Sequence, residues 1–285
     1  MERFLSPYVY VGYHCNNNCI FCSESDQEYL ARIGGPIPAE QVKSDLKKIK
    51  EVYNSVSFMG REPTIRKDLP ELVEYAKNLG FESINIASNG RIFAYEDYVK
   101  KLIKSGVTQF GMSFYSSIPE HYDEQAGVKG GYDQAVQGIR NVIKNKPSHV
   151  SFLVNIPLNN KNVGDLEETI KFLLSFGVKE INILFIEPLS KKSNTKEIVG
   201  RMSELGNKAA AIAVKYGGEA KFWLNEFLPC ALKPEFRDLF FNCLEKNVNK
   251  VRIPLCEKCK YNDRCDGVLS TYIELYGEEE FNLDD

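Results

Sequence analysis

Strand-length apolar runs alternate with helical patterns through the first four-fifths of the chain, and this alternation limits the possible folds more than any other feature. Runs rich in β-branched and aromatic residues occur at Tyr8 to Tyr13, Ser55 to Met59, Ser83 to Ala87, Thr108 to Phe114, Val150 to Ile156, Glu180 to Ile186 and, more weakly, Ala220 to Leu224. Between them, Leu69, Leu72, Val73, Ala76 and Leu79 keep a helical period that Gly80 is placed to end. Tyr132, Ala135, Val136, Ile139, Val142 and Ile143 repeat the pattern, as do Leu166, Ile170, Leu173 and Leu174 before Gly177. Six or seven such units call for parallel strands joined by right-handed crossovers. An incomplete (β/α) barrel and a doubly wound sheet both satisfy the pattern, and either puts active-site groups at the C-terminal ends of the strands. The alternation fades near Leu228. Beyond it lies a stretch rich in Cys, Pro, Lys and Asn, then a last helical pattern at Val268, Leu269, Tyr272 and Leu275. The acidic run from Glu278 to Asp285 reads as a solvated, frayed tail.

The 285 residues allow one large domain, or one with a small appendage, at roughly 150 residues per domain. Thirty-six Lys and Arg against 39 Asp and Glu leave a net charge of -3, too balanced for an electrostatic nucleic-acid surface. No run approaches the roughly 18 apolar residues of a spanning helix, and the N-terminal stretch lacks a charged region followed by a long apolar one. A cytoplasmic protein with no membrane partner is therefore expected. In a reducing compartment, grouped cysteines serve as metal ligands or redox groups more often than as disulfides. The eight cysteines are grouped: three fall within residues 15 to 22 and five within 230 to 265.

Cys15, Cys19 and Cys22 form C-x3-C-x2-C directly after the first strand pattern, and the three intervening asparagines favour tight turns that fold thiolates inward. Three thiolates suit a 4Fe-4S cluster with one iron left open, or a catalytic zinc with an open position. The spacing favours iron-sulfur, because no fourth Cys is near and His14 sits beside the loop rather than at a ligand spacing.

The segment CNNNCIFC, with an aromatic before its third cysteine, resembles the cluster loop of the radical S-adenosylmethionine superfamily. Phe58-Met59-Gly60-Arg61-Glu62-Pro63-Thr64 is similar to that family's G-G-E-P segment, with an R-K-D-L run after it. Ser88-Asn89-Gly90 and Met112-Ser113-Phe114 match its usual layout, so the likeness spans roughly residues 8 to 190. The resemblance implies an α/β fold: a partial (β/α)6 TIM-like barrel over residues 1–227, with a small Cys-rich auxiliary-cluster region over 228–285. It also implies that the open iron chelates S-adenosylmethionine, whose reductive cleavage yields a 5'-deoxyadenosyl radical that takes hydrogen from a substrate. The protein then supplies position, redox tuning and exclusion of quenchers.

By matching position, Phe21 would touch the adenine, or else plug the loop from below. Gly60, Arg61 and Glu62 would receive the methionine ammonium through backbone carbonyls and the Glu62 carboxylate; the alternative is an ordinary turn glutamate. Arg61 departs from the family's second glycine. It is strained if that position needs a positive φ, and is otherwise available to the substrate or the cofactor carboxylate. Ser88 and Asn89 belong to the same cofactor-binding set, and Ser113 is the candidate for a ribose hydroxyl. Relatives with a second cluster often carry an Arg in the segment that here reads HYDEQAGVKGGYDQA, where Lys129 offers only a point charge. Asn155, at the end of the fifth strand pattern, faces either the cofactor or the core. Tyr115, Trp223, Asn225 and Glu226 are candidates for lining the cavity, or for core and helix-end roles.

Without context, Cys256, Cys259 and Cys265 with distant partners would suggest structural zinc. Beside the family likeness, C-x2-C-x5-C resembles the shortened auxiliary-cluster region called twitch, and Leu269 stands where fuller versions have another cysteine. Cys230 is the expected fourth ligand of a second 4Fe-4S cluster, with Cys243 in reserve. A fully ligated second cluster points to an electron conduit for net oxidation. The leading reading is a radical enzyme of peptide or natural-product modification, served by a flavodoxin- or ferredoxin-type reductant. The alternatives are a radical enzyme acting on a sugar or nucleotide, and an iron-sulfur electron carrier, which would have no need of a G-x-E-P segment.

Overall fold

The computed structural model describes residues 7–23, 35–190, 193–241 and 249–283. The strands are β1 (Tyr8–Tyr10), β2 (Ser55–Met59), β3 (Ser83–Ser88), β4 (Gln109–Ser113), β5 (Ser151–Leu158), β6 (Glu180–Phe185), β7 (Lys221–Asn225) and the two-residue β8 (Phe240–Phe241). They form one sheet whose spatial order is the chain order, every pairing parallel. A doubly wound sheet reverses its strand order at a switch point. This one does not, so of the two architectures compatible with the alternation the chain adopts the barrel-like one. Among the described residues no pairing closes β1 on β8, and the barrel is partial.

The first seven strands answer to the seven strand patterns of the sequence, and the two-residue β8 is the addition. Lys221 is exposed, which left the β7 pattern weak, and a two-residue strand carries no period to read. The crossover helices are α1 (Ala39–Lys50), α2 (Leu69–Asn78), α3 (Glu96–Ser105), α4 (Pro119–Ala126), α5 (Gly131–Asn145), α6 (Leu166–Ser175) and α7 (Met202–Tyr216).

Strand residues alternate in environment, as the pleat requires. In β3, β4 and β6 the buried set is Ile84, Ile86, Phe110, Met112, Ile181, Ile183 and Phe185, which joins the helices' apolar faces in one core. The opposite face carries the half-exposed Asn85, Gln109, Ser113, Asn155 and Asn182. Ser113, Asn155, Asn182 and Trp223 are register partners across β4 to β7. The inner surface of the open barrel is therefore a polar row. Asn155 lies within β5, which runs on to Leu158, rather than at its end.

Two expectations for the C-terminal region are corrected. Val268 and Leu269 do not begin a helix. They form β10, antiparallel to β9 (Lys250–Val251), and α8 (Ser270–Tyr276) starts after them. The acidic tail is docked through residue 283. Phe281 is buried against Tyr272, and the Asn282 N–H donates to the Cys230 carbonyl at 2.9 Å. Glu280 accepts the Ser203 N–H at 2.8 Å in the first turn of α7, where the helix dipole favours an anion. Charge alone made this run read as solvated, but Glu280 is drawn in by a helix end.

Candidate active site

The cysteine loop, the Gly60 to Thr64 segment, Ser88-Asn89 and Tyr115 all follow the C-terminal ends of β1 to β4 and meet there. Gly60 has φ +128°, and a Cβ on it would lie 2.4 Å from the Gly12 carbonyl oxygen, so this position admits only glycine. Arg61 is not in the left-handed region, which removes the question of strain. Its Nε is buried without a hydrogen-bond partner, and its charge lowers the proton affinity of Cys15.

Glu62 is buried. Its Oε1 accepts the Thr64 N–H at 3.0 Å and the Ser88 hydroxyl at 2.8 Å, and its Oε2 accepts the Asn89 N–H at 2.7 Å. Burial outweighs these donors and holds the carboxyl above the usual range. The side chain thus ties the end of β2 to the end of β3. Ser88 also accepts the Gly90 N–H at 2.9 Å, while Asn89 Nδ2 donates to Asn16 Oδ1 at 2.6 Å and reaches Cys15 Sγ at 3.8 Å.

The loop carrying Cys15, Cys19 and Cys22 is fastened from several sides. The Asn18 and Ile20 N–H groups donate to the Ala126 and Gln125 carbonyls at the end of α4. A Cβ on Gly127 would lie 2.2 Å from the Asn18 oxygen, so the loop and this turn are in backbone contact. Arg91 donates to the Asn16 carbonyl and to Asn17 Oδ1 at 3.0 Å, while Gln134 accepts from its Nε at 2.6 Å. Ser190 Oγ donates to the Cys22 carbonyl at 2.8 Å. Phe21 packs edge-on against Tyr115 at 5.2 Å. Arg91 and Tyr115 acquire these contacts only through strand register, and the sequence carries no local signal for them. Ser113 is half-exposed on the inner face, and Lys129 is exposed two residues past Gly127.

Among the described residues no three His, Cys, Asp or Glu side chains converge on one point as a single ion would gather them. A 4Fe-4S cluster makes no such demand, because each thiolate has an iron of its own. The donors around the sulfurs fit thiolate ligands: the Asn17 N–H points at Cys15 Sγ at 3.3 Å, and the Tyr115 hydroxyl lies 3.4 Å from Cys19 Sγ. Burial first, and then the charges of Glu62 and Cys19, push the Cys15 thiol up to about 11. A cationic cluster is what would keep it deprotonated.

The second group is as coherent. Cys230, Cys256, Cys259 and Cys265 line one small pocket with Arg252 and Asn262. Burial, followed by the charges of Cys265, Cys256 and Cys259, pushes Cys230 up to about 12, and burial also raises Cys265. Cys243 lies outside the described residues. Beside this pocket a buried ion cluster centres on Lys250, whose ammonium is 2.6 Å from Glu226, 2.9 Å from Asp266 and 3.8 Å from Glu187. Burial alone would lower the Lys250 ammonium, but the charges and hydrogen bonds of Glu226 and Asp266 outweigh it and raise it. Glu226 has φ +62°, the one non-glycine in the left-handed region among the described residues. Trp223 lies on the inner row with Lys221 over its ring, and Asn225 Oδ1 is buried without a partner.

A parallel sheet in chain order, with a three-cysteine loop and a glycine-bounded segment at adjoining strand ends, defines an α/β protein that gathers thiols at the C-terminal edge of its sheet. The family model described as the radical SAM superfamily matches residues 9–173, and the chain belongs to that superfamily. Its cofactors are S-adenosylmethionine and a 4Fe-4S cluster. The chain is similar to a probable GTP 3',8-cyclase of Metallosphaera sedula, at 27% identity over 87% of this chain and 78% of that protein. A probable GTP 3',8-cyclase of Sulfurisphaera tokodaii is 25% identical over 86% and 77%. Among solved structures, Streptococcus suis SuiB superposes with a TM-score of 0.63 at 16% identity over 77% of this chain. The chain spans about half the length of SuiB, and that likeness shows the fold alone. Among the described residues no helix is long and apolar enough to cross a membrane.

Proposed function

We propose that the chain is a two-cluster radical enzyme acting on a nucleotide or a similarly polar small metabolite. Cys15, Cys19 and Cys22 would hold the first 4Fe-4S cluster. The carbonyls near Gly60 and Arg61 would face the cofactor ammonium, and Arg61, with its buried unpartnered Nε, would face the cofactor carboxylate. The cluster's role is to deliver one electron to S-adenosylmethionine, generating the hydrogen-abstracting radical. Cys230, Cys256, Cys259 and Cys265 would hold a second cluster, fully ligated and therefore suited to accept an electron from the substrate radical. A ferredoxin- or flavodoxin-type protein would supply reducing equivalents.

The observation that carries the substrate reading is the inner row of Asn85, Gln109, Ser113, Asn155 and Asn182. Amide donors and acceptors on a rigid sheet suit the edges of a base or the hydroxyls of a sugar. Relatives named for GTP support the same choice and favour it over the peptide reading, for which the SuiB structure with its precursor peptide offers only a shared fold.

The test is anaerobic reconstitution, reduction with dithionite, and quantitation of 5'-deoxyadenosine with and without GTP. Cleavage of S-adenosylmethionine that GTP stimulates, with consumption of GTP, is expected. Replacing Cys15, Cys19 and Cys22 together by alanine should abolish it. Cleavage that ignores every nucleoside triphosphate and responds to a peptide would return the peptide reading.

A further inference from the structure

Tyr115 follows β4, well outside the cysteine loop, yet its hydroxyl lies beside Cys19 Sγ, at 3.4 Å. The ring has no room to swing away: Tyr115 is 3% exposed, stacked on Tyr122 at 4.8 Å and met edge-on by Phe21 at 5.2 Å. Its carbonyl is held by Asn162 Nδ2 at 3.0 Å. Asn17, inside the cysteine loop, brings its Nδ2 to 3.5 Å from the Tyr115 oxygen and 3.9 Å from Cys19 Sγ.

These distances fix the direction of the bond once Cys19 ligates iron. A ligating sulfur is a thiolate with no proton to give, so the phenol must donate. Asn17 Nδ2 is donor-only and can serve only the phenol's lone pairs, which turns the phenolic hydrogen towards sulfur. The result is a chain of donors, amide to phenol to thiolate, in a dry pocket where each bond strengthens the next.

Resting on the proposed cluster at Cys15, Cys19 and Cys22, we infer that Tyr115 is a positioning residue whose hydroxyl sets the reduction potential of that cluster through Cys19. Reduction adds negative charge that spreads onto the sulfurs, and a fixed donor stabilises the reduced state more than the oxidised one. Tyr115 thereby makes the first cluster easier to reduce, which is the step on which cofactor cleavage waits.

The experiment is an EPR-monitored redox titration of the reconstituted full chain, reading the signal that changes on adding S-adenosylmethionine so that the first cluster is followed. Tyr115→Phe keeps the ring and removes the donor. Its iron content should match wild type, and its reduced-to-oxidised ratio at a fixed potential should fall about tenfold, a shift of about 59 mV to more negative potential for a one-electron couple. Tyr122→Phe is the control, because Tyr122 has an equally buried hydroxyl with no partner; its midpoint should stay at the wild-type value. Incorporating 3-fluorotyrosine at position 115 makes the phenol a stronger donor and should move the midpoint the opposite way. A Tyr115→Phe midpoint equal to wild type with iron retained, or an equal shift in Tyr122→Phe, would overturn the inference and leave the proposed function standing. If Tyr115→Phe loses its iron, the fluorotyrosine protein decides, and a null or negative shift overturns the inference. Failure of the wild-type chain to assemble any cluster on these cysteines would overturn the proposed function and this inference together.

Discussion

Replacing Glu187 by glutamine should stabilise the protein at pH 8 and leave it nearly unchanged at pH 4.5. Glu187 lies two residues past β6 with its side chain 22% exposed, facing Glu226, Lys250 and Asp266. Burial, and then the Glu226 charge, raise its carboxyl from 4.5 to about 7, against the pull of Lys250. Below pH 4.5 the group is protonated in both folded and unfolded chains and costs nothing. As pH rises towards 7 the unfolded chain ionises while the folded one keeps its proton, so stability is lost across that window and is flat above it. At about 1.4 kcal/mol for each tenfold change in proton affinity, the loss is about 3 kcal/mol. Glutamine carries an N–H where the protonated acid carries O–H, so it can keep the bond to Glu226 without titrating. Thermal melts of both proteins at pH 4.5 and pH 8 are the assay. At roughly 2–4 °C per kcal/mol the variant should gain on the order of 6–12 °C over wild type at pH 8. Equal differences at the two pH values, or a variant less stable at pH 8, would refute the carboxyl pairing read from this cluster.

Cys230→Ala should lower iron bound at the second site and block product while leaving uncoupled 5'-deoxyadenosine formation intact; iron analysis and chromatography check both. Glu62→Gln should lower the stability of the metal-free protein by about 2 kcal/mol in a denaturant melt, because an amide cannot accept from both the Thr64–Ser88 side and the Asn89 N–H. An unchanged melt with lost cofactor binding would instead make Glu62 a cofactor contact. Phe281→Ala should cost about 3 kcal/mol, the price of a buried aromatic, in the same assay, whereas a solvated tail would give none.

What the sequence disclosed and what it withheld divide along the distance over which each signal acts. β2 was legible to the residue because Ser55–Met59 is a short apolar run between polar flanks, and α2 because its buried residues keep one face. By contrast α1 buries only Val42 and Leu46 in a lysine-rich segment, and the buried face of α7 is built largely of Ala209, Ala210 and Ala213, with the exposed Ala211 and Val214 blurring it in the sequence. The two cysteine groups were legible for the same local reason: ligand spacing is a property of a few consecutive residues. Their surroundings were not. Glu62 meets Ser88 26 residues on, Arg91 meets Asn17 across 74, and Tyr115 meets Cys19 across 96. Each of these pairs exists because parallel strands in chain order bring their C-terminal ends to one edge, and no window of sequence contains that fact. Lys250 is the extreme case, drawing Glu187, Glu226 and Asp266 from three separate segments although only Glu226 stood out beforehand. Glu187 follows β6 three residues before Ser190, which holds the first cysteine loop. Glu226 precedes Cys230 by four residues, and Asp266 adjoins Cys265. The one buried cation of this cluster therefore ties the segments leading to Cys230 and Cys265 to the one whose Ser190 holds the Cys22 carbonyl.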